Sequence, residues 1–215
     1  MPAQAERLER LYAILYGYFG PQGWWPAESA FEVVVGAILT QNTNWKNVEK
    51  AITNLKQAGL LNLPAMQELP QALLAEYIRP AGYYNVKAGR LHNLLSLVHN
   101  EYAGSLEAFF SLPLPELRAQ LLAVKGIGPE TADSILLYAA AKPIFVVDAY
   151  THRILLRHNL IDEDTDYHIL QELFMDSFPA DVDMYKEFHA LLVRVGNQFC
   201  KKTRPRCEEC PLNGL

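Results

Sequence analysis

Long apolar runs, cysteine-rich patterning and low-complexity segments are all missing from this sequence, and each absence excludes a class of protein. Apolar stretches such as residues 31–39 contain Glu32 or are too short to span a bilayer. The N-terminus lacks the basic-then-apolar pattern of a secretory signal peptide. Because 12 Gly and 13 Pro occur among 215 residues, disordered and collagen-like chains are excluded as well. A soluble cytoplasmic protein, with one large domain or two small ones, is expected.

Cysteine is scarce, and its three copies lie close together near the C-terminus. They are Cys200, Cys207 and Cys210. Three clustered thiols are too few for a disulfide scaffold and favour a local metal site. Basic side chains stand between them, at Lys201, Lys202, Arg204 and Arg206.

A net charge of −5 does not suggest a nucleic-acid-binding protein, but the charge is unevenly distributed. Residues 161–187 carry nine acidic side chains against the single Lys186, a balance of −8 that leaves +3 for the rest of the chain. A basic face can therefore exist beside an acidic one. A plain solvated run of charge is an equally good interpretation.

The spacing of the apolar residues is helical almost throughout. Leu8, Leu11 and Leu15 recur at intervals of three and four, as on one face of a helix. Gly and Pro, for example at residues 63–64 and 126–129, are interpreted as breaks between such stretches. Residues 144–147 look extended but are too short to form a sheet. An all-α fold of about ten short helices is expected, with further stripes at residues 31–39, 48–55, 73–77, 91–98, 114–123, 131–140, 149–158, 169–174 and 188–195.

The most informative stretch is residues 121–132, which predicts two helices joined by a tight turn. Gly126 and Gly128 form the turn, and Pro129 opens the second helix, where its missing N–H costs nothing. The unpaired N–H groups at a helix start carry partial positive charge and bind an anion, most simply a phosphate. Lys125 adds a positive charge there. For two such glycines alone, a plain connection without a ligand is the commoner interpretation.

About twenty residues further on, an apolar segment leads into Asp148 at the predicted start of another helix. The simplest role of this Asp is to cap the helix. The helix amides would also keep the carboxylate ionised, so that it could face a cationic intermediate.

Four stretches together resemble the helix-hairpin-helix DNA glycosylase superfamily, which contains endonuclease III. They are Val-Lys-Gly-Ile-Gly-Pro-Glu-Thr-Ala-Asp at 124–133, Val-Asp at 147–148, Ala-Ile-Leu-Thr-Gln-Asn-Thr at 37–43 and Gly-Tyr-Tyr-Asn-Val-Lys-Ala at 82–88. The resemblance covers essentially the whole chain. It implies two helical lobes with a cleft between them: residues 28–142 with the hairpin, and residues 1–27 plus 143–215 with the cysteine loop.

The resemblance also implies a mechanism on double-stranded DNA that contains a damaged base. The damaged nucleotide leaves the stack and enters a pocket between the lobes. Asp148 stabilises the oxocarbenium-like sugar or activates water, and Gln41 enters the gap left by the extruded base. Lys125, Gly126 and Gly128 contact the DNA, and the protein acts as a monomer.

The nucleophile of the bifunctional members is missing. Proteins such as endonuclease III carry a Lys two residues after the second Gly of the hairpin, where this sequence has Glu130. A carboxylate cannot form a Schiff base, and Lys125 lies on the other side of the turn. The sequence therefore predicts a monofunctional glycosylase that hydrolyses with water. Glu130 either faces the pocket or is a first-turn acid that the helix dipole favours.

The only tryptophans are Trp24, Trp25 and Trp45. Two aromatic rings can sandwich a flipped base, and electron-rich rings attract a base made cationic by alkylation. Alternatively, the rings fasten the N-terminal segment to the core. With the hairpin, this region resembles the 3-methyladenine glycosylase branch of the superfamily, which implies a base pocket formed by Trp24, Trp25, Pro26, Trp45 and Glu130.

The cysteine spacing resembles the iron–sulfur loop of endonuclease III, whose fourth Cys would fall at position 216, one beyond Leu215. The resemblance implies that Cys200, Cys207 and Cys210 are three of the four ligands of a [4Fe–4S] cluster. Zinc and an empty loop are the alternatives. The interleaved Lys and Arg side chains point to contacts with DNA phosphates in each case.

Two other functions are compatible with the sequence. The protein could be a glycosylase for oxidised pyrimidines or mismatched bases, or a non-enzymatic hairpin module that only holds DNA. Asp148 separates the last possibility from the others, because only an enzyme needs its carboxylate.

Overall fold

The computed structural model describes residues 2–215, and all regular secondary structure in that range is helical. The predicted all-α fold is thus confirmed. A 3₁₀ turn, Arg79–Ala81, precedes α6, and a π-helical stretch, Ile135–Ala139, continues α9. The helices are α1 (Pro2–Phe19), α2 (Ala30–Leu39), α3 (Trp45–Gln57), α4 (Leu63–Glu68), α5 (Gln71–Tyr77), α6 (Tyr84–Tyr102), α7 (Leu106–Phe110), α8 (Leu114–Ala123), α9 (Pro129–Ser134), α10 (Ala149–Arg157), α11 (Tyr167–Ser177) and α12 (Val182–Gln198). None of the helices in the described range is long and apolar enough to cross a membrane.

Two of these helices, α4 and α7, were not expected from the apolar spacing. Pro64 occupies the first turn of α4, where the side chain of Asn62 accepts a hydrogen bond from the N–H of Ala65 at 2.9 Å. Ser105 caps α7 in the same way through the N–H of Ala108 at 3.1 Å. A proline in the first turn starts a helix, so interpreting residues 63–64 as a break was wrong.

The chain folds into two compact units. The terminal unit contains the residues up to Pro26 together with Pro143–Leu215, and the central unit is Ala27–Lys142. The chain therefore leaves the terminal unit after the first helix and returns to it after the hairpin.

Helix α2 lies at the centre of the central unit and is buried along nearly its whole length. It packs against α3, α6, α9 and the π-helical stretch. At its start, Ser29 Oγ accepts from the N–H of Glu32 at 3.1 Å. The buried carboxylate of Glu32 is 3.0 Å from Lys56 Nζ on α3, and Glu28 also pairs with Lys56 at 2.9 Å. These contacts fix the helix that ends just before Gln41.

Aromatic packing holds the apolar segment before Asp148 inside the terminal unit. Residues 144–147 are buried but form no strand. Phe145 stacks on Phe174 with ring centroids 3.9 Å apart, and Phe188 meets both rings edge-on. Gln171 Nε2 donates to the carbonyl of Phe145 at 2.6 Å. The start of α10 is therefore fixed by the core rather than by a sheet.

Helix α10 packs on α12, and the chain at its C-terminal end is anchored to α1. Arg7 Nη2 donates to the carbonyl of His158 at 2.6 Å, and Gln4 Nε2 donates to the carbonyl of Leu160 at 2.7 Å. A Cβ at Gly196 would collide with the ring of Tyr150. Glycine at this point of α12 allows α10 to approach closely.

Candidate active site

The glycine turn between α8 and α9 has the predicted form, and its two glycines differ in what requires them. Gly126 has φ +96°, where side chains are strained, and a Cβ there would lie 2.5 Å from Arg90 Cγ. Gly128 precedes α9 with an ordinary φ of −97°, and a Cβ there would meet nothing within 4 Å. Backbone geometry and packing therefore explain why residue 126 is a glycine. At Gly128 the space beside the start of α9 is open.

A buried ion pair locks the two helices of the hairpin together. Arg118 on α8 donates from Nε to Asp133 Oδ1 at 2.7 Å and from Nη2 to Oδ2 at 3.1 Å. The Asp133 side chain is fully buried on α9. A two-point guanidinium–carboxylate pair fixes direction as well as distance, so the turn between the helices keeps its shape.

Gln41 lies against this hairpin within the central unit. Its Nε2 donates to the carbonyl of Gly126 at 3.1 Å and to Thr131 Oγ1 at 2.9 Å. Its Oε1 accepts from Arg90 Nη1. The structure thus brings together Gln41, Gly126 and Gly128, which the sequence predicted as DNA contacts. Lys125 is exposed on the same turn, where its carbonyl accepts from Asn93.

Sequence reasoning assigned no role to Lys87, although its motif was recognised. Its side chain is buried, and Nζ donates to the carbonyl of Leu39 at 2.8 Å and to that of Ala81 at 2.7 Å. Burial, and then the nearby charge of Arg90, lower the pKa of Lys87 to about 8. The ammonium ties the end of α2 to the turn before α6. The available signal was its position four residues before Leu91, on the buried face of α6.

Asp148 caps α10 in the terminal unit, as predicted for an N-cap. Its Oδ1 accepts from the N–H of Thr151 at 2.7 Å and from Thr151 Oγ1 at 2.9 Å. On the other side of the carboxylate, His189 Nε2 is 3.7 Å from Oδ2, an ion-pair distance when the imidazole is protonated. Burial raises the pKa of Asp148, but His189 and the Thr151 donors outweigh it, and the pKa lies below its usual range. A nearly buried carboxylate is therefore ionised at neutral pH.

His189 is the other functional candidate that sequence reasoning missed. It lies on the buried face of α12, one turn after Tyr185 and next to Phe188. That periodicity predicts a core position, but it does not indicate that the ring faces Asp148. The packing of α12 on α10 brings the ring to the carboxylate.

The predicted pocket residues are distributed over both units. Trp24 and Trp25 are half-buried in the terminal unit with ring centroids 5.5 Å apart, and Pro26 is exposed. In the central unit, Trp45 starts α3 and donates from Nε1 to Glu49 at 2.8 Å. Glu130 is exposed in the first turn of α9. Their grouping into one base pocket stays a prediction.

Arginines from α10 hold the cysteine loop. Arg153 Nε donates to the carbonyl of Cys200 at 2.7 Å. Arg157 Nη1 lies 3.2 Å from Cys200 Sγ and donates to the carbonyl of Lys201 at 2.8 Å. Burial, and more weakly the other two thiols, raise the pKa of Cys210. The interleaved basic side chains are all exposed, at Lys201, Lys202, Arg204 and Arg206.

The three thiols as placed do not form a complete metal site. Within residues 2–215, no three His, Cys, Asp or Glu side chains are arranged to hold a metal ion. The iron–sulfur cluster stays a prediction from the cysteine spacing.

Comparison with known proteins matches the part of the chain that carries these motifs. The HhH-GPD superfamily of base excision DNA repair proteins matches residues 35–180, a range that includes Gln41, the hairpin and Asp148. A Methanocaldococcus jannaschii protein named as a DNA repair glycosylase is 48% identical over 208 residues, which are 96% of this chain and 94% of that protein. Endonuclease III of Escherichia coli is 27% identical over 213 residues, which are 99% of this chain and 95% of that enzyme.

Two solved structures have the same fold. The 3-methyladenine DNA glycosylase MagIII of H. pylori, bound to 1,N6-ethenoadenine, matches with a TM-score of 0.78 and 33% identity over 91% of this chain and 97% of that one. A trapped covalent intermediate of endonuclease III with DNA matches with a TM-score of 0.82 over 97% of this chain and 93% of that one. At 20% identity, the second match shows the fold alone.

Proposed function

Because the chain belongs to the HhH-GPD superfamily of base excision DNA repair proteins and is a DNA N-glycosylase, we propose that it removes an alkylated base from double-stranded DNA by hydrolysis. The substrate class that fits best is a 3-methyladenine-like lesion, and the enzyme has no strand-cleaving activity. The observation that carries this proposal is the ionised, nearly buried Asp148 at the start of α10. The predicted family resemblance and the predicted enzyme class are confirmed.

Asp148 suits the charge that develops during cleavage of the N-glycosidic bond. As the bond to C1′ breaks, its electron pair leaves with the base and positive charge spreads over C1′ and the ring oxygen. A carboxylate with a lowered pKa stabilises that charge electrostatically. It can also accept a proton from the water that adds to C1′. Thr151 donates to Oδ1 and His189 lies 3.7 Å from Oδ2, so these two partners hold the ionised carboxylate in place.

An alkylated base matches this site because it requires little acid catalysis. A 3-methyladenine-like base is already cationic and leaves as a neutral molecule when it takes the bonding electrons. The half-buried rings of Trp24 and Trp25 suit a cationic aromatic ligand. We also propose Pro26, Trp45 and Glu130 as contacts of the base. Similarity to a 3-methyladenine glycosylase at 33% identity supports this choice of lesion.

The absence of lyase activity follows from the hairpin. Glu130 stands where a Schiff-base amine would be required, and a carboxylate cannot form that adduct. Hydrolysis would therefore end with an intact strand that carries an abasic site.

Contacts to DNA are proposed at three places. The turn at Gly126 and Gly128, with Lys125, would hold a phosphate at the open start of α9. Gln41 would fill the gap left by the flipped base. The exposed basic side chains of the cysteine loop would meet further phosphates, at Lys201, Lys202, Arg204 and Arg206.

A panel of duplexes with single lesions tests the activity. We expect release of 3-methyladenine without strand breakage, and no covalent adduct after borohydride treatment. Release of thymine glycol alone would instead indicate the oxidised-pyrimidine activity, which the similarity to endonuclease III keeps as the second candidate. A borohydride-trapped adduct would contradict the monofunctional mechanism.

The cysteine spacing also leads us to propose a bound [4Fe–4S] cluster, with Cys200, Cys207 and Cys210 as three of its ligands. Binding would require movement of the loop, because no three His, Cys, Asp or Glu side chains among the described residues are placed to hold a metal ion. We expect protein purified without oxygen to be brown and to show thiolate-to-iron absorption. A colourless, iron-free preparation would contradict the cluster, and Arg153 and Arg157 would then hold the loop without a metal.

A further inference from the structure

We propose that Arg90 is a positioning residue for Gln41, and that it joins the residue that fills the DNA gap to the turn that anchors the strand. The inference rests on the proposed DNA-repair function and adds a residue that neither the sequence motifs nor the chemistry at Asp148 required. Its basis is the network formed by Arg90, Gln41, Gly126 and Thr131 in the central unit.

Arg90 contacts both parts of the site. Its guanidinium donates from Nη1 to Gln41 Oε1. Its side-chain stem lies over the turn, where a Cβ at Gly126 would be 2.5 Å from Cγ and 2.9 Å from Cδ. A larger residue at 126 would displace Arg90, so the glycine serves this contact as well as the shape of the turn.

The network determines which way the Gln41 amide points. Both Nε2 hydrogens are used, one by the carbonyl of Gly126 and one by Thr131 Oγ1. A flipped amide would place its oxygen against the Gly126 carbonyl and its NH₂ against the guanidinium of Arg90. Both contacts would be repulsive, so Arg90 and the hairpin select one orientation.

The backbone beneath Gln41 is already held, which leaves the side chain for Arg90 to order. Lys87 Nζ fixes the carbonyl of Leu39, two residues before Gln41. Beyond that point a glutamine side chain has three rotatable bonds, and ordering it costs entropy. Because Arg90 orders the side chain before DNA binds, less of that cost remains when the gap is filled.

A double-mutant cycle tests the coupling. The variants are Gln41→Ala, Arg90→Met and the two combined, and Met keeps the stem over Gly126 while it removes the guanidinium. The measurement is the affinity for a duplex with one tetrahydrofuran abasic site, relative to the same duplex intact. We expect each single change to reduce this preference about 10-fold, and the double variant to lose no more than Gln41→Ala alone.

Additive losses in the double variant would overturn the proposal, as would a wild-type protein with no preference for the abasic duplex. A direct phosphate contact by Arg90 would also overturn it. In that case the salt slope of binding to intact duplex would be smaller by about one in Arg90→Met than in the wild type.

Arg79→Met is the matched control, because it removes a charge from the same unit at an exposed site paired with Glu76. Its preference should equal that of the wild type.

The abasic analogue has no base to release, so this experiment does not depend on catalysis. Base release by the wild type is scored separately on the lesion duplexes. If the wild type releases no base but the cycle still shows coupling between Gln41 and Arg90, only the proposed function is contradicted. If the enzyme releases base but the losses in the double variant are additive, only the role of Arg90 is contradicted.

Discussion

At the scale of single residues, the electrostatic environment decides what each ionisable side chain can do. Lys87 is buried and Asp148 is nearly buried, and burial disfavours the charged form of each. Asp148 has compensating partners in His189 and Thr151, so its pKa is lowered. Around Lys87 lie two carbonyl acceptors and the like charge of Arg90, so burial and this charge lower its pKa as well. For an amine, a lowered pKa means that the charge is lost more easily. Asp148 is therefore suited to chemistry, and Lys87 to holding the end of α2 against the turn before α6.

Replacing Asp148 by Asn separates catalysis from folding. We expect base release to fall by at least about 100-fold, because the amide neither stabilises a cation nor accepts a proton. The free energy of unfolding should fall by about 1–2 kcal/mol, because Asn keeps the helix cap but loses the charge interaction with His189. The measurements are single-turnover excision, urea denaturation and DNA affinity at neutral pH. Full excision would remove Asp148 from the mechanism, and loss of DNA affinity would indicate misfolding.

Lys87 makes stability depend on pH in the alkaline range. The unfolded chain keeps its Lys protonated up to about pH 10.4, whereas the folded chain releases the proton at about pH 8. Between these values the unfolded state binds more protons, so stability rises with pH. From pH 7.5 to 9.5, the wild type should gain about 2 kcal/mol relative to Lys87→Met, measured by denaturation at each pH. An equal pH response in the two proteins would show that the ammonium is not buried as described.

At the scale of secondary-structure elements, the hairpin combines a rigid frame with an open turn. The pair between Arg118 and Asp133 fixes α8 against α9, and Arg90 packs on Gly126 from α6. The frame depends on the pair of Arg118 with Asp133 and on the positive φ of Gly126. The exposed start of α9 at Gly128 has an ordinary backbone conformation and no close neighbour. Stability and DNA binding should therefore respond to different glycines.

Alanine substitutions at the two glycines provide a matched pair. Gly126→Ala should destabilise the fold by about 1–3 kcal/mol, because φ is +96° and the methyl group collides with Arg90. Gly128→Ala should change stability by less than about 0.5 kcal/mol, since its φ is ordinary and its Cβ would point into open space. If a phosphate approaches the turn, Gly128→Ala should nevertheless weaken DNA binding. Unchanged affinity would contradict phosphate binding at this turn.

At the scale of the whole molecule, the distribution of charge matters more than its sum. The net charge of −5 reflects the acidic stretch at residues 161–187. The cysteine loop, by contrast, presents exposed Lys201, Lys202 and two arginines. A locally positive surface is sufficient for DNA binding, because phosphate contacts act over about a Debye length.

Salt dependence measures this local surface. If the four basic side chains of the loop each neutralise one phosphate, affinity for intact duplex should fall about 100-fold between 50 and 200 mM salt. Replacing Lys201 and Lys202 together by Met should reduce the slope by about two. Lys186→Met, in the acidic stretch, is the control and should leave the slope unchanged. A flat salt response of the wild type would contradict the basic surface.

Motifs that act through their own backbone were predictable from the sequence. Gly126, Gly128 and Pro129 define the hairpin locally, and Asp148 caps α10 through Thr151 three residues away. Apolar spacing identified the long helices but not α4 and α7, because helices of six and five residues are shorter than two turns and repeat their apolar positions too few times to show a period. Such features depend only on residues that are close in the sequence, so they can be predicted from one sequence alone.

Contacts between distant segments required the tertiary structure. The sequence determined an all-helical chain, a tight turn suited to a phosphate, and an acid at a helix start without an amine nucleophile. Packing alone decided that His189 on α12 faces Asp148, and that Gln41 and Arg90 meet the hairpin some 85 residues from Gln41. The physical reason is that periodicity reports only that a side chain is buried, whereas the partner it meets depends on how two separate helices pack.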